Sequence, residues 1–100
     1  MINIEIINNK TIKVKGHANY AEYGSDIVCA SVSTAVYMSI NQIEVFDKMN
    51  CINTKIAEGN ACIEVVCEDD IANKVISNLI FTLRDLELQY PKYIKINEKI

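Results

Sequence analysis

The chain has 100 residues, half of them hydrophobic, with three glycines, one proline and a net charge of −3. That length makes a single domain, residues 1–100, with room for a modest core, and the composition excludes a disordered chain. The acidic balance excludes nucleic-acid binding driven by counterion release, which needs basic surface.

No apolar run reaches the length of a membrane span. The opening residues Met1-Ile2-Asn3-Ile4-Glu5 lack a basic segment followed by an apolar one. The expected location is therefore the cytoplasm, and the four cysteines read as reduced thiols before disulfides.

Ile2, Ile4 and Ile6 alternate with Asn3 and Glu5, the period of a half-buried strand. Asn8-Asn9 supplies a turn. Ile12 and Val14 alternate with Lys13 and Lys15 as the return strand of a hairpin, and strict parity puts His17 on the lysine face. Residues 18–24 form a loop carrying Tyr20 and Tyr23.

A first helix is expected from about Ser25 to Phe46. Ile27, Val28, Val32, Ala35, Val36, Ile40 and Ile43 recur there at helical spacing, and so wide an apolar surface calls for cover on more than one side. Ile52, Thr54 and Ile56 open a second hairpin, with Gly59-Asn60 as its two-residue turn. Ala61, Ile63, Val65 and Cys67 share one face of its return strand. Asp69 or Asp70 caps a second helix with Ile71, Val75, Leu79, Leu83 and Leu86 on one stripe; Pro91 ends it, and Ile94 and Ile96 mark a last strand. The order ββαββαβ predicts an α+β two-layer sandwich, a mainly antiparallel sheet with two helices on one face.

The chemistry concentrates in one stretch. The only histidine, His17, stands a short loop away from Cys29, which is expected in the first turn of the first helix. A cysteine nucleophile needs a base within reach and a field that favours the thiolate. Unpaired N–H groups at a helix start supply such a field. The competing reading is a packed helix cysteine and a solvated histidine at the edge of a hairpin.

Asp26 lies three residues before Cys29 on a similar helical face. It is either an orienting partner for His17 or a plain first-turn carboxylate. Ser33, one turn after Cys29, is a candidate supporting hydroxyl or only a small residue on that face. Gly16 and Gly24 bracket the segment as candidate hinges of a mobile loop. The backbone N–H of Cys29 and one from the preceding loop are the expected oxyanion donors. No metal site is expected: Cys62 and Cys67 point to opposite faces of one strand, there is no second histidine, and no CxxC pair occurs. Cys51 and Cys67 can approach each other across the second hairpin, but the reduced state is expected. No cofactor motif is present.

The string GHANYAEYGSDIVCASVS, from Gly16 to Ser33, resembles the signature of the ribosomal-processing cysteine proteases, bacterial enzymes of about this length. Ser31 stands where a second alanine is common. The resemblance implies a His/Cys dyad at His17 and Cys29 and a homodimer. It also implies a substrate, the N-terminal extension of large-subunit ribosomal protein twenty-seven, removed after an aromatic pair and before a small residue. The expected function is thus a cysteine endopeptidase supporting ribosome assembly. Two alternatives stand beside it: a non-catalytic module that binds a ribosomal protein or the ribosome, and a redox-responsive protein with Cys29 as sensor thiol.

Overall fold

The structure, a computed structural model, describes residues 1–16 and 25–99, without the side chains of Ser25 and Asp26. Its elements are β1 (Ile2–Ile7), β2 (Thr11–Lys15), α1 (Ser25–Val45), β3 (Ile52–Ala57), β4 (Asn60–Val65), α2 (Asp70–Gln89) and β5 (Ile94–Lys99), with a 3-10 turn at Met49–Cys51 before β3. The order ββαββαβ is as expected. The five strands form one sheet in the order β3-β4-β2-β1-β5. All neighbours are antiparallel except β1 and β5, which pair in parallel with Ile2 opposite Ile94.

Alternation decides which face is covered. Ile2, Ile4, Ile6, Ile12, Ile52, Ile63, Val65 and Ile94 are buried against the two helices, while Asn3, Lys13, Lys15, Lys55 and Glu64 stand on the opposite face by parity. From α1 the core takes Val28, Val32, Val36 and Ile43, and from α2 Val75, Ile76, Leu79, Ile80 and Leu83. Each fully buried side chain of this size contributes about 1.5–3 kcal/mol by leaving water. The buried stripe of α2 is broader than the sequence spacing indicated. Ala72, Ile76 and Ile80 join it because α2 packs on both the sheet and α1, whereas Ile71 is 36% exposed.

The turns show their local causes. Asn8 and Asn9 both take positive φ (54° and 56°), the pair of angles a primed hairpin turn requires and that asparagine tolerates. The second hairpin turns one residue earlier than expected. Ala57 pairs with Asn60, so Glu58-Gly59 is the loop, and Gly59 alone takes the positive φ of 72°. After α1, the N–H of Lys48 donates to Ile43 O (2.9 Å) and that of Asp47 to Glu44 O (2.9 Å), with Asp47 at φ 58°. This is the double carbonyl closure of a Schellman end, with aspartate where glycine is usual.

Asp69 caps α2 by accepting the Ala72 N–H at 2.9 Å. That bond, and the Lys48 ammonium at 3.1 Å, hold its carboxyl below the ordinary value of 3.8. Glu87 near the end of α2 accepts the Ile96 N–H at 2.7 Å, tying the helix to the edge strand β5.

Candidate active site

Gly16 closes β2 in a conformation only glycine adopts easily, φ 113°. A Cβ there would lie 2.4 Å from the backbone oxygen of Met1, so the first residue and the end of β2 touch through the missing side chain. Its N–H donates to Gly59 O at 3.0 Å. The start of β1, the end of β2 and the β3–β4 turn are thereby fastened into one corner of the sheet.

α1 starts over that corner. Cys29 and Ser33, one turn apart, face a cleft of about 190 Å³ together with Tyr37, and its other wall is Val14, Gly16 and the turn residues Glu58-Gly59-Asn60. Cys29 is half-buried and takes no part in a disulfide. With Ser25 as the first helical residue, Cys29 is the fifth, just past the first turn in which the sequence reading put it. That places its backbone N–H beyond the four donors that a helix start leaves without intrahelical partners, so it is not well placed as an oxyanion donor. The donors available for an oxyanion are those ahead of it.

The structure thus brings together Cys29, Ser33 and Gly16. His17, Gly24, Tyr20 and Tyr23 lie outside the described residues, as does the side chain of Asp26, which belongs to the first turn of α1. Glu58 is the lining residue that sequence reading passed over. Only the pairing register of the second hairpin, which sets the turn against β2, carried a signal for it. Among the described residues no cluster of three or more His, Cys, Asp or Glu side chains is arranged to hold a metal ion, and no helix is long and apolar enough to cross a membrane.

Two features stand outside the cleft. Cys51 and Cys67 form a disulfide, with Cα atoms 5.0 Å apart, where reduced thiols were expected. The 3-10 turn directs Cys51 towards the segment after β4, and the Val66 N–H donates to Cys51 O at 2.8 Å. Beyond Ser33 and Tyr37, the outer face of α1 continues as an apolar groove including Met38, Val45 and Phe46, all more than half exposed.

A family model described as "Cysteine protease Prp" matches residues 1–95. A ribosomal processing cysteine protease Prp of Staphylococcus aureus is 32% identical over 106 aligned positions, covering 99% of this chain and 100% of that protein. Its namesake in Mycoplasma genitalium is 33% identical over 101 positions, covering 99% and 97%. The crystal structure of the S. aureus ribosomal processing protease Prp with a covalently linked product peptide superimposes with a TM-score of 0.81 at 28% identity, covering 99% of this chain and all of that one.

Proposed function

The chain belongs to the Prp family of cysteine proteases and is a cysteine-type peptidase, and from that premise we propose that His17 and Cys29 are its catalytic dyad. The observation that carries the assignment is the position of Cys29. It is a half-buried cysteine facing a cleft at the corner where β2 leads into the segment that carries His17. The other three cysteines do not line that cleft. The covalently linked product peptide in the S. aureus relative is consistent with a thioester-forming nucleophile.

In the proposed reaction the His17 imidazole takes the proton from the Cys29 thiol as Sγ attacks the scissile carbonyl carbon. The carbonyl π electrons move to oxygen, and backbone N–H groups ahead of Cys29 stabilise the oxyanion. Collapse of the tetrahedral intermediate breaks the C–N bond, and His17 gives its proton to the leaving amine. Water, deprotonated by His17, then attacks the thioester, releasing the carboxylate and restoring the thiol. Asp26 orients the imidazole, and Ser33 borders the nucleophile. The loop between Gly16 and Gly24 moves to admit the peptide. No cofactor takes part.

The proposed substrate is the N-terminal extension of large-subunit ribosomal protein twenty-seven, cut after an aromatic pair and before a small residue, in the cytoplasm. Two relatives that carry the name ribosomal processing protease support this reading. The proposed assembly is a homodimer, which would cover the exposed apolar face of α1. Neither direct nucleic-acid contact nor membrane association forms part of it.

The test is a peptide spanning the extension, with Phe-Phe before Ala-Ser, incubated with the protein and with Cys29→Ala and His17→Ala variants. Fragments are read by mass spectrometry. Cleavage by the native protein, reduced about a thousandfold or more in each variant, is expected. Binding of the peptide without cleavage by the folded native protein would replace this reading with a non-catalytic ribosomal-protein-binding module.

A further inference from the structure

We propose that Glu58, in the β3–β4 turn, is a specificity-determining carboxylate that selects polypeptides carrying a lysine or arginine near the scissile bond. The inference deepens the peptidase reading and rests on it, because only then does a peptide chain pass Cys29. Glu58 and Cys29 line the same cleft. The remaining described lining residues are apolar, small or uncharged; Glu58 is the one carboxylate among them, and none is lysine or arginine.

The carboxylate is also uncommitted. The ion pairs among the described residues use Glu5, Glu68, Asp69, Asp70 and Glu98, and Glu58 enters none of them. Its backbone, by contrast, is held. The pairing of Ala57 with Asn60 and the positive φ of Gly59 fix the turn, and the Gly16 N–H on Gly59 O fastens it to the end of β2. An anchored carboxylate with no ion-pair partner among the described residues, at the rim of a cleft whose described lining holds no lysine or arginine, is a receptor for an ammonium or guanidinium group. Because Glu58 is exposed, the preference is modest, about two- to fivefold, and weakens with salt.

The experiment measures kcat/KM for native protein, Glu58→Gln and Glu58→Lys on the Phe-Phe/Ala-Ser peptide. Single lysines are placed at successive positions on either side of the cut, and each is compared with glutamine and glutamate. A two- to fivefold lysine preference at one position is expected in the native protein, erased in Glu58→Gln and inverted in Glu58→Lys. The same preference in all three proteins overturns the proposal.

A second readout does not depend on peptide cleavage. Cys29 is modified by cationic and by anionic methanethiosulfonate reagents, with the site located by mass spectrometry. The cation-to-anion rate ratio is expected to fall about two- to fivefold in Glu58→Gln, and an unchanged ratio overturns the proposal. If the native protein cuts none of the peptides, the peptidase reading fails by itself, and this ratio alone decides whether Glu58 selects cations at the cleft.

Discussion

The two halves of the chain repeat one plan, a β-hairpin followed by a helix, and differ in the connection between them. In the second half residues 66–69 join β4 to α2, and the last of them caps the helix, pairs with Lys48 and closes a well-buried stripe. In the first half residues 16–24 join β2 to α1, hold the only histidine and lead to a cysteine facing a cleft. The same local architecture serves two ends. A short capped connection gives a helix that stabilises the sheet, and a longer glycine-bounded one leads to a helix that sets Cys29 at the cleft. The outer faces do not follow the division: α1 exposes Tyr37, Met38 and Val45, and α2, anchored to β5 through Glu87, exposes Phe81 and Leu88.

That division is open to substitution. Leu83, fully buried on α2, lies away from the cleft. Leu83→Ala is expected to cost about 2–5 kcal/mol, read by denaturant unfolding, while folded protein keeps its kcat/KM within about twofold. A large fall in kcat/KM at full folding would mean that the second half also shapes the site. The Cys51–Cys67 bond closes a span of 16 residues within the second half. Loop-closure entropy assigns it about 3 kcal/mol, so a Cys51→Ser/Cys67→Ser double variant should unfold at lower denaturant with cleavage retained. An unchanged midpoint would show that the thiols are reduced in solution.

Gly16 tests the corner where the halves meet. Gly16→Ala must place its Cβ against the Met1 carbonyl at a positive φ. We expect a loss of about 2 kcal/mol and a matching fall in activity, from displacement of the segment that carries His17. Loss of activity with no change in stability would favour a purely hinge-like role. The smallest effect is the titration of Asp69. Its folded pKa lies below the unfolded one, first through the Ala72 N–H and then through Lys48. Its contribution is therefore fully present above the unfolded value and is lost as pH falls through the folded one. Below about pH 4 the melting temperature of the native protein should fall more steeply than that of Asp69→Asn, and parallel curves would remove the carboxylate from the account.

Much of this was legible in the sequence because it is local. Alternating isoleucines marked β1, Asn8-Asn9 marked its turn, and Asp69 marked the start of α2; each signal lies within the residues it governs. What escaped depends on partners distant in sequence. Whether the turn falls at Glu58-Gly59 or at Gly59-Asn60 is a matter of register between two strands, and the difference moves a carboxylate to the cleft. The breadth of the α2 stripe depends on α1 packing beside it, and the meeting of Cys51 and Cys67 depends on a 3-10 turn that no periodicity announces. At the site, the Gly16–Ser33 string indicated which residue types matter. The requirement for glycine at position 16 emerged only from the approach of Met1 across the sheet.

In the proposed reaction the covalent chemistry falls to Cys29, on the helix to which the first connection leads. The most direct test is to mix the protein with the Phe-Phe/Ala-Ser peptide, quench in acid within the first turnover, digest with pepsin, and locate any acyl group by mass spectrometry. The N-terminal peptide fragment attached to Cys29 in the native protein, and absent in His17→Ala, is the predicted result. Product formation with the acyl group on Cys62, or cleavage that persists undiminished in Cys29→Ala, would contradict it.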